Sequence, residues 1–185
     1  MTMKFSPRFD QALILAALAH EGQYRKDTCI PYLIHPVHVA MLLERHGFPE
    51  PVVLAGLLHD VLEDMDFDSE QIRTSFAKTF SAFRDSAGDA ERFHQAVTAF
   101  LRAEFGDDVI EMVEAVTERK EAEGRPRSWR TRKDEQLAHV SAMTPDAAAV
   151  KAADAVHNAR SILRDLQSGG LAVLRRFNCS PEETL

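Results

Sequence analysis

The chain has 185 residues, 45% of them hydrophobic and 28% charged, with eight glycines and eight prolines. That length and balance suit one folded domain with a sizeable core, and they exclude a disordered or low-complexity chain. A formal net charge of −7 argues against nucleic acid or an anionic membrane as the main partner, while leaving room for a small anionic substrate at a locally basic site.

Two cysteines, Cys29 and Cys179, form neither a CxxC pair nor a zinc pattern. A reducing, cytoplasmic setting is therefore expected. Lys4 and Arg8 precede an apolar run over residues 12–19, and Ala17-Leu18-Ala19 resembles a signal-peptide cleavage site. The run is short, however, Asp10 stands before it, and Ser6-Pro7 reads as a helix start. A helix over residues 6–24 is the expectation. No apolar run is long enough to span a membrane.

Further along, Pro36 is read as opening a helix that Gly47 closes. Residues 50–65 are read as one continuous helix, with Val53, Leu54, Leu57, Leu58, Val61 and Leu62 on its apolar face. Asp68 with Gln71 resembles a capping box for a helix on which Phe76, Phe80 and Phe83 repeat at i, i+4 and i+7. A helix over residues 89–105 carries Phe93, Val97, Phe100 and Leu101, and Gly106 breaks it. Residues 108–118 form another, residues 121–128 a polar loop, and residues 128–143 a further helix. Thr144-Pro145 is an N-cap followed by proline at the first helical position, starting a long alanine-rich helix to about Gln167. Gly169-Gly170 ends it. Strand-like alternation is absent, so the fold is expected to be all-α.

Residues 67–105 hold seven of the eleven phenylalanines. A stripe of rings at helical spacing is first of all core. A lid or a pair of dimer helices is the sharper alternative.

The chemistry concentrates at LLHDVLED. On a helix, residues four apart share a face, which sets His59 over Glu63 and Asp60 over Asp64. One imidazole and three carboxylates on a narrow surface repel unless a cation relieves them, and that donor mixture suits Mn, Fe, Zn or Co. The competing reading is a solvated helix end. Adjacent His and Asp cannot complete a metal site alone. His35, at the start of a helix in Ile34-His35-Pro36, is a candidate ligand, with His38 one turn on as its alternative. His20, His46, His94 and His139 lie on ordinary amphipathic helices. On the C-terminal helix, Lys151, Asp154, Asn158 and Ser161 form one polar stripe among small and aliphatic residues, which fits a site lining better than a plain solvent face. A basic run, Arg119, Lys120, Arg125, Arg127, Arg130, Arg132 and Lys133, is equally consistent with phosphate binding and with a solvated helix start.

The order His35, His59-Asp60, Asp154 resembles the HD-domain metal phosphohydrolases. RKD-x-x-x-PYLIHP (Arg25 to Pro36), LLHDVLED, VTERK (Val116 to Lys120) and KAADAVHNARS (Lys151 to Ser161) are similar to the hydrolase domain of Rel/Spo-type alarmone enzymes, and the size resembles the small alarmone hydrolases. The resemblance implies a compact single-domain helical bundle over residues 1–185, with an extra helical segment at about 68–105. It implies one Mn²⁺ held by His35, His59, Asp60 and Asp154. Glu63 and Asp64 would orient or deprotonate the attacking water. Arg25 and Lys26 would face the nucleotide and its phosphates, and Lys151, Asn158 and Ser161 would contact ribose and phosphate. The reaction implied is removal of the 3′-pyrophosphate from (p)ppGpp to give GDP or GTP and pyrophosphate. The pattern departs in places. Ser161 stands where Thr is more common, Glu118 stands where Asp is, and the segment after Asp68 is longer than in the most compact members. (p)ppApp is therefore an alternative substrate. NADPH, a dNTP and a nucleoside monophosphate are candidate substrates of the same metal chemistry. A nucleotide-binding module without turnover is a reading of a different class. Oligomeric state is left open.

Overall fold

The computed structural model describes residues 6–118, 121–122, 125–126 and 138–176. In chain order the elements are α1 (Pro7–Ala19), α2 (Ile34–Arg45), α3 (Glu50–Leu58), α4 (Val61–Asp64), α5 (Glu70–Thr79), a 3₁₀ turn (Ser81–Phe83), α6 (Ala90–Phe105), α7 (Asp107–Val116), the strand pair β1 (Glu121–Ala122) and β2 (Arg125–Pro126), α8 (Pro145–Gly169), and a closing 3₁₀ segment (Gly170–Arg176). The fold is all-α but for the two-residue antiparallel pair, which sets Glu121 against Pro126 within the expected polar loop. No helix among the described residues is long and apolar enough to cross a membrane.

Side-chain caps explain half of the described α-helix starts. Ser6 Oγ accepts the Phe9 N–H at 3.1 Å at the start of α1, and Thr144 Oγ1 accepts the Ala147 N–H at 3.2 Å at the start of α8. Each leaves a proline at the first helical position, where its missing N–H costs nothing. Helix α1 stops at Ala19 rather than Tyr24, because the chain turns through Gly22 at φ 74°, a conformation that glycine adopts without steric penalty. Helix α2 begins at Ile34, two residues before Pro36, which fits within a first turn whose N–H groups have no helical partner. The cap of α5 is Ser69, whose Oγ accepts the Ile72 N–H at 3.3 Å. Asp68 is not the cap, and Gln71 instead reaches Glu21.

Helix α3 is the axle of the bundle. Every residue from Val52 to Leu58 is buried, and α3 packs against α1, α2, α7 and α8. A helix apolar all round belongs inside a protein. Gly56 sets how closely α2 approaches, since a Cβ there would lie 2.4 Å from Leu43 Cδ1 and 3.3 Å from Val39 Cγ1. The continuous helix expected over residues 50–65 is broken. Asp60 sits at φ −93°, ψ −4° between α3 and the single turn α4, in the sparsely populated bridge region where turns and site residues are found. The apolar pattern runs unbroken across this break.

The buried rings of the 68–105 segment belong to the core, the first of the two expectations for it. Phe76, Phe83 and Phe93 are fully buried and meet edge to face, with centroids 5.2 to 5.7 Å apart. They do not share one helix. Helix α5 ends at Thr79, Phe80 is its extended C-cap, and Phe83 lies in the 3₁₀ turn. The basic run and the helix expected over residues 128–143 fall largely outside the described residues; of these the backbone of Arg125 in β2 and residues 138–143 are described, helical at 138–140 and then turning.

Candidate metal centre

Three stretches of chain bring His35, His59, Asp60 and Asp154 to one place. His35 comes from the first turn of α2, His59 and Asp60 from the break after α3, and Asp154 from the third turn of α8. His35, His59 and Asp154 each offer a donor atom within 4.8 Å of the others. Asp60 bridges the two imidazoles: its Oδ1 is 3.0 Å from His59 Nε2 and its Oδ2 is 3.4 Å from His35 Nε2. His35 Nε2 also lies 3.3 Å from Asp154 Oδ1. His38, the alternative, points elsewhere: its Nδ1 lies 3.0 Å from His157 Nε2.

The donor set fits a divalent cation. His35, His59 and Asp60 are only 2%, 3% and 7% exposed, and buried ionisable groups are normally paired or metal-bound. His59 Nε2 is buried without a partner in hydrogen-bond geometry, despite its closeness to Asp60. Its other nitrogen, Nδ1, lies 2.9 Å from the Gly56 carbonyl. With Nδ1 as the donor in that contact, Nε2 of the neutral ring would turn its lone pair toward the acids, the arrangement by which a carbonyl orients a ligand imidazole. His35 is braced in the same way, its Nδ1 2.7 Å from His157 Nδ1.

The electrostatics agree. Burial lowers the pKa of His59, but Asp60, Asp154 and the Gly56 carbonyl together outweigh it and bring the value to about 9. Burial alone would raise Asp60, yet His59, His35 and the Tyr32 hydroxyl hold it well below the usual carboxylate range. Asp154 is likewise lowered against its burial by His35, His59 and Lys151. His157 is pushed down to about 4, by burial first and then by the neighbouring His35, Arg25 and His38. A field that favours positive charge on His59 is one that attracts a divalent cation.

The candidate substrate-side residues divide. Arg25 Nη2 donates to Asn158 Oδ1 at 2.9 Å, and Asn158 Nδ2 donates to Asp154 Oδ1 at 2.6 Å. Lys151 Nζ lies 3.5 Å from Asp154 Oδ2. These three side chains are therefore wired to the centre. Ser161 is buried two turns along α8, its Oγ 3.4 Å from Arg164 Nη2. Lys26 is exposed on the loop and joins none of these contacts. Glu63 and Asp64 take different positions. The Glu63 carboxylate accepts the backbone N–H of Glu118 at 2.8 Å, tying it to the VTERK segment after α7. The Asp64 carboxylate instead accepts from the Tyr32 hydroxyl at 2.7 Å.

Two neighbours escape a reading of the sequence. Tyr32 donates to both Asp60 and Asp64, and His157 stands behind His35. The available signals are their places within PYLIHP and KAADAVHNARS, Tyr32 three before His35 and His157 three after Asp154.

A buried His-Asp centre in a helical bundle defines the class, and similarity to known proteins agrees with it. The family model for the HD domain matches residues 12–99, a stretch that contains His35, His59 and Asp60. That stretch, just under half of the chain, is similar to the HD domain. It is 31% identical over 155 residues to a guanosine-3′,5′-bis(diphosphate) 3′-pyrophosphohydrolase of Haemophilus influenzae, a match that covers 80% of this chain and 18% of the relative. A GTP pyrophosphokinase of Streptomyces coelicolor is 28% identical over 155 residues, 84% of this chain and 15% of the relative. The chain thus spans less than a fifth of these two curated relatives. Among solved structures, a metazoan ortholog of SpoT, described as hydrolysing ppGpp and acting in starvation responses, superposes with a TM-score of 0.62 at 29% identity, covering 90% of this chain and 74% of that one. A Listeria monocytogenes protein gives a TM-score of 0.57 at 30% identity, covering 81% and 75%.

Proposed function

We propose that the chain is a single-domain, cytoplasmic, Mn²⁺-dependent hydrolase that removes the 3′-pyrophosphate from alarmone nucleotides, (p)ppGpp plus water giving GDP or GTP and pyrophosphate. The observation that carries the reading is the buried cluster of His35, His59, Asp60 and Asp154, whose ring nitrogens and carboxylate oxygens converge on one point. The relatives named for this reaction support the choice of substrate.

His35, His59, Asp60 and Asp154 would hold the cation, which supplies a bound water of lowered pKa and neutralises charge on phosphoryl oxygens. The roles of the other residues follow from their contacts. Asp64, in hydrogen-bond reach of Tyr32 and through it of Asp60, would accept the proton of the attacking water. Glu63, fixed on the Glu118 N–H, would orient that water. Lys151 lies beside Asp154 and would offset charge on the departing pyrophosphate. Arg25 and Asn158 form one hydrogen-bonded pair at the edge of the centre, suited to a ribose hydroxyl and phosphate, since a guanidinium binds phosphate through a planar fork. Lys26 and Ser161 would complete the nucleotide site from the loop and from α8.

The test is turnover by purified protein with Mn²⁺, offered ppGpp, pppGpp, ppApp, NADPH and dGTP in parallel, with Asp60→Ala as control. Pyrophosphate released from a 3′-pyrophosphate nucleotide, and lost in the variant while the far-ultraviolet circular dichroism stays helical, is the expected result. Release from ppApp alone would reassign the base. Turnover of NADPH or dGTP alone would reassign the substrate class. Binding without turnover of any nucleotide would leave a non-catalytic module.

A further inference from the structure

Tyr32 is absent from the roles above, yet it touches two residues that have them. Its hydroxyl lies 2.8 Å from Asp60 Oδ2 and 2.7 Å from Asp64 Oδ2. A phenol carries one proton, so two carboxylates share a single donor, and their repulsion is offset across it. A phenol keeps its proton at neutral pH, so the hydroxyl faces the two carboxylates as a donor.

The ring cannot swing. The His20 ring packs on it with centroids 4.8 Å apart, the His35 ring meets it edge-on at 5.7 Å, and the Arg25 guanidinium lies 5.9 Å from its centroid. Its backbone is pinned as well, its N–H donating to the Gln23 carbonyl at 2.9 Å and its own carbonyl accepting the His35 N–H at 2.8 Å. Gln23 grips the other half of the pair: its Nε2 donates to the backbone carbonyl of Asp64 at 2.7 Å, while its Oε1 is 2.9 Å from His20 Nδ1. Asp64 is thus held at side chain and backbone by one frame, built from the end of α1 and the loop after it.

We infer that Tyr32 is a positioning residue whose hydroxyl holds Asp64 beside the metal centre at a fixed spacing from Asp60. The inference rests on the roles proposed for Asp60 as ligand and Asp64 as proton acceptor. The physical reason is the break at His59–Asp60. Just after it, Asp60 and Asp64 lie one turn apart with both Oδ2 atoms within reach of one phenol oxygen, where a bound cation would attract both and each repels the other. With the hydroxyl shared between them, Asp64 stays close to the cation without becoming its ligand. Without it, Asp64 either turns away or is drawn into the coordination sphere, and in both cases it is misplaced for proton transfer. Contacts of this kind, one step removed from a metal, typically change metal affinity or activity by about 10- to 100-fold when lost.

Tyr32→Phe tests the inference, because it keeps the ring and its packing on His20 and Arg25. The expected result is a kcat lowered about 10- to 100-fold with KM nearly unchanged. A second readout needs no substrate. Metal-stripped protein titrated with Co²⁺ reports its ligand arrangement in the visible absorption. That spectrum should differ between wild type and Tyr32→Phe, and the difference should vanish when the same exchange is made in an Asp64→Asn background. Wild-type kcat together with an unchanged Co²⁺ spectrum in Tyr32→Phe overturns the inference. So does a spectral change that persists in full with Asp64→Asn, since Tyr32 would then not act through Asp64. If the wild-type protein turns over no nucleotide, the proposed function fails, and the Co²⁺ cycle still decides the role of Tyr32.

Discussion

Among the described residues, two buried groups of side chains invite comparison, one made of rings within the core and the other of imidazoles and carboxylates. Phe76, Phe83 and Phe93 occupy the first, with centroids 5.2 to 5.7 Å apart. His35, His59, Asp60 and Asp154 occupy the second, with donor atoms 3.0 to 3.4 Å apart. Burying the rings is favourable wherever they lie, because the gain is non-directional and scales roughly with the apolar area removed from water. Burying the charged groups is unfavourable unless each finds a partner or a cation. The first cluster therefore answers for the fold, and the second is a cost that the fold carries. That difference says where a mutation will be felt, and the largest expected effects test it directly.

Asp60→Ala should cut turnover by at least about 10³-fold, roughly 4 kcal/mol of transition-state stabilisation, in protein that remains helical. Phe93→Ala should do the reverse. Truncating a fully buried phenylalanine costs about 3 to 5 kcal/mol, which lowers Tm by about 10 °C in a chain of this size, while kcat per folded molecule stays near wild type. Urea titration paired with activity at low temperature checks both. A ring truncation that abolished turnover in fully folded protein would break the division of labour.

The next effect is smaller and joins the two clusters through stability. A cation bound only by the folded state stabilises it by about 2.7 kcal/mol at a hundred times its Kd, a rise in Tm of about 5 to 10 °C. Differential scanning calorimetry with and without Mn²⁺ should show that rise in wild type and in Phe93→Ala. EDTA should remove it, and Asp60→Ala should lack it. A rise that survived in Asp60→Ala would put the cation elsewhere.

The two clusters also differ in how legibly the sequence announces them. Amphipathic spacing marks Phe93, Val97 and Leu101 as core, because burial on one helix face leaves a period in the chain. Ser6-Pro7 and Thr144-Pro145 mark helix starts, because a cap is a local contact. The break at His59–Asp60 leaves no such mark, since the apolar residues on either side keep helical register across it. The sequence points to Asp68 as the cap of α5 where the structure uses Ser69, both side chains being able to accept an N–H. At the centre, the four candidate ligands stand out because His and Asp in an apolar setting need a reason. Tyr32 does not, because a tyrosine in a loop carries no signal until its hydroxyl is seen between two carboxylates 28 and 32 residues further on. Contacts across such separations have no period to read.

The smallest expected effect tests the edge where the two kinds of surface meet. Arg25 lies over the Tyr32 ring at 5.9 Å and donates to Asn158 at 2.9 Å, so it belongs partly to packing and partly to the site. Arg25→Lys keeps the charge but loses the planar fork and most of the stacking. A half-buried pair of this kind adds little to stability, so Tm should hardly move. If Arg25 binds substrate equally in ground and transition states, KM should rise about 3- to 10-fold, roughly 1 kcal/mol, with kcat unchanged. A fall in kcat at constant KM would instead assign Arg25 to the reacting phosphate, and would draw it from the rim of the centre into its chemistry.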